Sequence, residues 1–212
     1  MNPYASNTHC KRNLDALRRA GWSILISPGK KHYDPPRGFR YAIDNGAWRA
    51  FLHNLPFDHD AFMELIARHG RGAEFIVVPD KVADAESLEF SLSYLDRLRG
   101  IDRPLLAVQD GMKAKDIGAI LERHSNLGLF LGGSTEWKLK TLYGWGMVAH
   151  ALRRYFHVGR VNTTRRMRLC AEAGANSIDG TSCSMFSCNV PKLDAARRQP
   201  SLLTPLLTAG RP

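Results

Sequence analysis

The chain alternates short apolar runs with longer amphipathic segments along most of its length. Runs such as SILIS, EFIVVPD and LGLFLGGS are nearly continuous in aliphatic and aromatic residues, which is typical of strands buried on both faces. They predict strands over residues 23–27, 74–80, 104–111, 127–134, 156–158 and 176–179. The segment FRYAIDNGAW at 39–48 predicts one more strand, which ends at Asp44. Helical spacing predicts helices over residues 9–20, 58–69, 84–99, 113–124, 135–155 (interrupted at 144–146) and 162–173, and a short basic helix beyond Pro191.

This strand–helix order recurs about seven times, which requires parallel strands joined by right-handed crossovers. A compact (β/α) barrel and an open doubly wound sheet both fit a chain of 212 residues. No GxGxxG follows the first predicted strand, which disfavours the dinucleotide-binding form of the open sheet. We therefore expect one α/β domain over residues 1–212, a TIM-type barrel whose strand and helix complement can be incomplete or modified. Residues 1–8 are expected to be loose, and the Pro- and Leu-rich tail from about 200 to 212 has no assigned role.

Polar residues or glycines end nearly every predicted strand. They are Asp44, Asp80, Gln109, the pair Gly132 and Gly133, Gly159 with Arg160, and Asp179. In a (β/α) barrel the carboxyl ends of all strands meet at one mouth, which is where such barrels place their active sites. This convergence favours the barrel and predicts a functional site at its mouth.

Several carboxylates around one pocket suit chemistry at a sugar carbon. One carboxylate can attack the anomeric carbon while another moves a proton to or from the leaving group. An aspartate and a glutamine can read the edge of a purine, and Trp48 can stack on its face.

Each of these assignments has a structural alternative. Asp179, followed by Gly-Thr, can cap a turn or helix, and Asp80 can cap the helix that follows it. Gln109 can be a satisfied core amide, and Trp48 can fill the core. His157 is expected to be a satisfied buried histidine.

The charge of the chain is strongly positive. Thirty Lys and Arg against twenty Asp and Glu give a net charge of +10, which suits a polyanionic partner because each neutralised phosphate releases bound counterions. The alternative is a basic surface that only aids solubility. The loop at residues 28–38 is basic and contains His32 and Tyr33, so it can reach a phosphate backbone or simply be solvated.

The cysteines and the termini predict the environment of the protein. Cys10, Cys170, Cys183 and Cys188 form no CxxC pair and no zinc-finger spacing, so we expect free thiols and no metal. Without a leader peptide or a long apolar run, we expect a cytoplasmic protein of a bacterium or archaeon, or of the host cell if a phage encodes it.

Five motifs carry a resemblance to a known family. IDNGAW, VVPDKVADAESLEFSL, LAVQDGM, GLFLGGSTEWK and HVGRVN…GANSIDGT occur in the order and spacing of the tRNA-guanine transglycosylase superfamily. They look most like its DNA-acting branch, the DNA 7-deazaguanine transglycosylases of phages and bacterial genomic islands. The resemblance covers roughly residues 39 to 183, and LGGSTEWK with HVGRVN and the final DGT is specific to that branch.

The resemblance implies a role for each matched position. The nucleophilic aspartate of the superfamily falls on Asp179, and the proton-transferring aspartate of its D-S-G-G-F/Y pattern falls on Asp44. The aromatic of that pattern falls on Trp48, which favours base stacking over core filling. The base-binding positions implied by the motifs are Asp80, Gln109, Gly132, Gly133, Trp48, Val158 and Gly159, with Val158 on the face of the base opposite Trp48. Proximity in sequence to Asp179 adds Arg160, Arg165, Arg166 and Arg168 as candidates for holding the nucleic-acid backbone.

The chain also departs from the superfamily. The tRNA enzymes continue into a C-x-C-x-x-C…H zinc site that Cys183 and Cys188 do not reproduce, so no zinc is expected. The activity implied is exchange of guanine in DNA for a 7-deazaguanine, the 7-cyano compound preQ0 by preference, through a covalent aspartyl intermediate without a cofactor. The partners implied are double-stranded DNA and the 7-deazaguanine base, with accessory modification proteins as further candidates. The alternatives are a transglycosylase acting on tRNA, a non-catalytic nucleic-acid-binding barrel and a hydrolase of free nucleosides.

Overall fold

The computed structural model describes residues 1–29 and 34–199, whose strands form one closed barrel. Eight parallel strands pair in chain order, and the last pairs with the first. They are β1 (Asn2–Ser6), β2 (Ser23–Ile26), β3 (Tyr41–Ile43), β4 (Ile76–Val77), β5 (Pro104–Val108), β6 (Gly128–Leu131), β7 (Phe156–Val158) and β8 (Ser177–Gly180). The TIM-type (β/α) barrel expected from the strand–helix alternation is confirmed.

Helices surround this barrel. They are α1 (Lys11–Ala20), α2 (Ala47–Leu52), α3 (His59–His69), α4 (Ser87–Tyr94), α5 (Ala114–Arg123), α6 (Thr135–Ala151), α7 (Thr164–Glu172), α8 (Ser182–Met185) and α9 (Val190–Arg198). Asp58 caps α3 by accepting a hydrogen bond of 3.0 Å from the amide of Ala61.

The predicted interruption of the helix at 144–146 is wrong, because α6 runs unbroken for 17 residues. Gly146 serves close packing instead: a Cβ there would lie 2.1 Å from the carbonyl oxygen of Ala173. The predicted strand over 39–48 ends at Ile43, and Trp48 lies in α2, a helix that the sequence did not reveal.

The expectation that residues 1–8 are loose is also wrong. Residues 2–6 form β1, which pairs with β2 on one side and with β8 on the other and thereby closes the barrel. Tyr4 and Ala5 are fully buried. The segment NPYAS contains a proline and lacks a run of aliphatic residues, so its strand character comes from its two neighbours rather than from local propensity.

Side chains alternate between two apolar layers. Tyr4, Leu25, Ala42, Phe75, Val77 and Leu105 fill the interior of the barrel, with Phe130 and Tyr155 packed against them. A larger cluster lies between the barrel and the helices and includes Val158. Because successive residues of a strand point to opposite faces, His157 contacts the interior layer while Val158 faces the helices.

Two expectations fall outside the described residues, namely the phosphate contacts of His32 and Tyr33 and the role of the tail at 200–212. Within the described ranges, none of the helices is both long enough and apolar enough to cross a membrane.

The burial of Tyr4 leads to a testable prediction about the missed strand. Tyr4→Ala should lower the free energy of unfolding by about 3–5 kcal/mol, because it leaves a cavity in the barrel interior. Phe51→Ala is the matched control, since 49% of Phe51 is exposed. Its effect should stay within about 0.5 kcal/mol in urea unfolding. Equal losses for the two variants would mean that β1 does not contribute to the core.

Candidate functional site

The polar strand ends converge on a cavity of about 230 Å³ at the mouth of the barrel. Every strand, or the residues directly after it, contributes to the wall. Among the lining residues are Ser6, Ser27, Asp44, Trp48, Asp80, Gln109, Phe130, Gly132, Gly133, Arg160 and Asp179. The volume is below that of a typical drug-sized site, which suits a single small, flat ligand.

A larger cleft of about 1000 Å³ opens at the opposite end of the barrel. Two of its arginines are engaged by the protein itself. Arg103 donates to the carbonyl of Glu74, and Arg154 donates to the carbonyls of Leu121 and Ser125. The amino ends of barrel strands generally serve stability, so the carboxylate-lined mouth is the better candidate despite its smaller size.

Asp179 lies near the end of β8, where 7% of the residue is exposed. Its Oδ2 lies 3.0 Å from Nε2 of His157, and its Oδ1 accepts a hydrogen bond of 3.2 Å from the backbone amide of Arg160. The capping alternative for Asp179 is wrong, because the N-cap residue of α8 is Thr181 and because the oxygens of Asp179 bond to His157 and Arg160 rather than to the turn that follows. The carboxylate is held by strand β7 and presented to the pocket.

Asp44 follows β3 and shares the pocket with Asp179. Burial and the negative charge of Asp179 raise the pKa of Asp44 from 3.8 to about 6. Hydrogen bonds to Oδ2 from the hydroxyl of Ser27 and the amide of Gly46 oppose this shift. A carboxyl group with a pKa near 6 can both give and take a proton near neutral pH.

Asp80 also lines the pocket, and burial raises its pKa to about 6. Its Oδ1 accepts a hydrogen bond of 2.7 Å from Asn45, which also donates to the carbonyl of Val78. The following helix α4 begins at Ser87 with Glu86 at its N-cap, so the capping alternative for Asp80 is wrong.

Gln109 lines the pocket, but its amide is engaged by the protein. Oε1 accepts from the amide of Ala83, and Nε2 donates to the carbonyl of Lys81 and the hydroxyl of Ser87. These bonds match the satisfied amide that the sequence left open as an alternative. In this structure Gln109 organises the loop between β4 and α4.

The two glycines after β6 differ in whether the structure leaves room for a side chain. Gly133 has a positive φ of 72°, and a Cβ there would lie 2.4 Å from Oδ2 of Asp110 and 2.9 Å from the ring of Trp137. A Cβ on Gly132 would make only ordinary contacts of 3.4 Å or more. Gly159 is also tightly enclosed, since a Cβ would lie 2.6 Å from Phe130 and 3.3 Å from Oδ2 of Asp179.

Trp48 and Arg160 form a stacked pair at the pocket wall. The guanidinium carbon of Arg160 lies 3.8 Å from the centroid of the Trp48 ring, and the guanidinium also donates to the carbonyl of Gly133. Trp48 is 38% exposed, which excludes the core-filling alternative. Arg160 adopts a left-handed φ of 59°, which is uncommon for a residue other than glycine.

Val158 was expected to line the base pocket, and this prediction is wrong. Its side chain points away from the barrel interior towards Lys138, Leu142 and Cys170 under α6 and α7. The motif identifies β7 correctly as a strand of the pocket wall. Successive side chains of β7 point to opposite faces, however, and it is His157 that points into the barrel and Val158 that points outward.

The basic residues of α7 lie outside the pocket. Arg165 and Arg168 are exposed, and Arg166 is half-buried next to Lys138 and Arg160. Of the four arginines considered for the nucleic-acid backbone, only Arg160 lines the pocket.

The structure adds residues that the sequence did not single out as functional. Phe130 lines the pocket and stacks on His157 with ring centroids 5.1 Å apart. Lys138 is buried, and its ammonium group donates to the carbonyl of Gly159. Burial and the nearby Arg160 lower the pKa of Lys138 to about 8. The only sequence signal for Lys138 was its place in the STEWK motif.

Ser177, His157 and Asp179 have the connectivity of a hydrolytic triad. Nδ1 of His157 lies 2.6 Å from the hydroxyl of Ser177, and Nε2 lies 3.0 Å from Asp179. However, Ser177 and His157 are fully buried, and neither lines the pocket. A nucleophilic serine has to reach its substrate, so this arrangement does not support hydrolysis at Ser177.

A cation site is not apparent within residues 1–29 and 34–199, where no three His, Cys, Asp or Glu side chains are clustered suitably for a metal ion. Cys183 is buried and Cys188 is exposed, and all four cysteines are free.

The raised pKa values of Asp44 and Asp80 predict a pH-dependent stability. A folded-state pKa above the unfolded value means that stability falls as the pH rises from about 4 to about 6. Asp44→Asn should therefore stabilise the protein at pH 7.5 by about 1–2 kcal/mol, or roughly 3–6 °C in Tm, and by much less at pH 4.5.

Asp110→Asn is the matched control, and its expected effect on stability at pH 7.5 is opposite to that of Asp44→Asn. Burial acts to raise the pKa of Asp110, but two hydrogen bonds from Ser134, its own backbone amide and the charge of Arg160 together lower the pKa below its usual value. This substitution should destabilise the protein at pH 7.5 by about 1 kcal/mol. Thermal unfolding at both pH values measures the two effects. A stability gain for Asp44→Asn that is equal at pH 4.5 and 7.5 would contradict the raised pKa.

The glycine pair gives a second prediction. Gly133→Ala should destabilise the protein by about 1–3 kcal/mol, because the methyl group meets Asp110 and Trp137 and the backbone is left-handed. Gly132→Ala should cost less than about 1 kcal/mol. Urea unfolding of the two variants separates them, and equal losses would show that φ and the close contacts at Gly133 do not matter.

Comparison with models of known protein families found no match, and comparison with curated proteins found no relative of significant similarity. A proposal of function for this chain therefore rests on the motifs of its own sequence and on the geometry of its residues.

Proposed function

We propose that the protein is a transglycosylase that exchanges guanine in DNA for a 7-deazaguanine. The observation that carries the proposal is the placement of Asp44 and Asp179 in one small pocket at the barrel mouth. The motif resemblance assigns the same two residues to proton transfer and to nucleophilic attack. Geometry and resemblance therefore support the same pair of roles.

In the first displacement, a guanine nucleotide leaves the duplex and enters the pocket, at a cost of about a few kcal/mol. A carboxylate oxygen of Asp179 attacks C1′ of the deoxyribose and forms a C1′–O bond. The C1′–N9 bond breaks, and its electron pair goes to guanine N9, which takes a proton from Asp44. The raised pKa of Asp44 supports its role as the proton donor.

In the second displacement, a 7-deazaguanine base takes the place of guanine. Its N9 loses a proton to Asp44, attacks C1′ and displaces the carboxylate of Asp179. Two displacements at C1′ retain the configuration of the sugar. Asp44 gives one proton in the first displacement and regains it in the second, and the C1′–O bond to Asp179 forms and then breaks. The exchange therefore requires no oxidant and no nucleotide triphosphate.

Recognition of the base is assigned to the remaining pocket wall. Asp80 presents a carboxyl group, and Trp48 and Phe130 present aromatic surface. Preference for the 7-cyano base preQ0 is carried by the resemblance alone.

DNA as the substrate is supported by charge and by the rim of the mouth. The net charge of +10 suits a polyanion. Next to Trp48, the exposed side chains of Phe51 and Leu52 provide apolar surface on which unstacked bases can rest.

The test is covalent trapping and base exchange on labelled duplex DNA in the presence of 7-cyano-7-deazaguanine. The wild-type protein should form a denaturant-stable adduct and incorporate the base. Asp179→Asn should reduce exchange by more than about 1000-fold, because it removes the nucleophile. Asp44→Asn should slow exchange by roughly 100-fold or more.

Asp96→Asn is the matched control, because it makes the same chemical change at a side chain that is 82% exposed and lies away from the pocket. It should leave exchange unchanged. Undiminished exchange by Asp179→Asn would refute the assignment of Asp179 as the nucleophile. Exchange on unmodified tRNA but not on DNA would favour the tRNA alternative, and DNA binding without adduct or exchange would favour a non-catalytic barrel.

A further inference from the structure

His157 is the one imidazole that contacts a candidate catalytic carboxylate among the described residues. It lies inside the barrel with no exposed surface, between Phe75 and the stacked ring of Phe130. Its ring nitrogens meet two residues of the same strand, β8. Nδ1 lies 2.6 Å from the hydroxyl of Ser177, and Nε2 lies 3.0 Å from Oδ2 of Asp179.

The position of the ring proton decides what Asp179 can do. If Nε2 carries the proton, it donates to Asp179, whose carboxylate then accepts and stays available as a nucleophile. If Nδ1 carries the proton, it donates to Ser177, and Nε2 can bond Asp179 only when the carboxyl group is protonated. A protonated carboxyl group is a poor nucleophile.

The surroundings favour the proton on Nε2. The backbone amide of Arg160 already donates to Oδ1, and Arg160 and Lys138 place positive charge near Asp179, so both stabilise a carboxylate. The hydroxyl of Ser177 lies 2.6 Å from Nδ1, and because a hydroxyl can donate, it can supply the proton of this hydrogen bond and leave Nδ1 as the acceptor. Ser177 then donates to His157, and His157 donates to Asp179, so each hydrogen bond of this chain joins one donor to one acceptor.

We propose that His157 is a positioning residue which, with its proton held on Nε2 by the hydroxyl of Ser177, fixes the carboxylate of Asp179 for attack. The inference rests on the proposed function and deepens it. His157 acts through Asp179 and does not touch the substrate, because it is fully buried and does not line the pocket. The enclosing rings of Phe75 and Phe130 hold the imidazole, so the carboxylate is oriented before any ligand enters.

Two substitutions at His157 distinguish positioning from mere core filling. His157→Leu removes the donor, and it should slow adduct formation by about 100-fold, since a misplaced reacting group costs this much. His157→Gln keeps an N–H near the position of Nε2, and it should retain activity within about 10-fold of wild type. Binding of free 7-cyano-7-deazaguanine, followed by tryptophan fluorescence, should be unchanged in both variants.

The adduct assay also separates orientation from loss of folding. The expected change lies in the rate of the covalent step and not in base binding, whereas a damaged core would weaken both. Adduct formation at the wild-type rate by a folded His157→Leu variant would overturn the proposal. If that variant does not fold, the comparison of His157→Gln with wild type and the measurement below decide.

Nitrogen NMR of the His157 imidazole tests the proposal without an activity assay. The wild-type protein at neutral pH should show a proton on Nε2 and none on Nδ1. Ser177→Ala should shift the Nδ1 resonance and slow adduct formation by about 10-fold. A proton on Nδ1 in the wild-type protein would overturn the proposal. Absence of adduct and exchange with every nucleic acid would instead refute the proposed function. The NMR measurement would still test the position of the imidazole proton, because it does not depend on activity.

Discussion

The pairing of β1 with β8 is the constraint on which the site depends. In this register Tyr4 is the partner of Asp179, so the strand that closes the barrel also fixes the strand that carries the candidate nucleophile. The hydroxyl of Tyr4 donates to Glu74 at the far end of the interior, and its ring packs on Phe75 and towards His157. Closure, interior packing and the orientation of Asp179 are therefore one connected arrangement.

Closure also brings negative charges together at the mouth. Asp44, Asp80 and Asp179 share one pocket, and burial together with mutual repulsion raises the pKa of Asp44 and Asp80. A chain selected for stability alone would not gather three carboxylates in one pocket in this way. The nearby Arg160 and Lys138 offset part of the cost. Titratable groups that are shifted in this way and gathered in one pocket are typical of functional sites.

The positions of the strand ends could be predicted from the sequence, because each apolar run stops at a polar residue or a glycine. The direction of the side chains could not. Strands of a parallel barrel are buried on both faces, so FHV shows no alternation that separates His157 inside from Val158 outside. Strand β1 was missed for a related reason, since only its two neighbours make NPYAS a strand. The bonds of Gln109 depend on a loop conformation that no local pattern encodes.

The residues to which the proposed function gives a chemical step differ in their hydrogen bonding from those to which it gives recognition of the base. His157 and Arg160 hydrogen-bond to Asp179, and Ser27 and Gly46 hydrogen-bond to Asp44. The groups suited to recognising a base are engaged with the protein instead. Gln109 is bonded to the β4–α4 loop, and the guanidinium of Arg160 covers a face of Trp48.

A flat ligand that stacks on that face of Trp48 must displace the guanidinium of Arg160, and one that reads Gln109 must break bonds to Lys81 or Ala83. For the proposed reaction, part of the binding free energy is then used to rearrange the wall, which lowers the affinity expected for a free base. The carboxylates need no such rearrangement. A ligand with further contacts outside the pocket, such as a nucleotide still joined to its strand, can supply the difference.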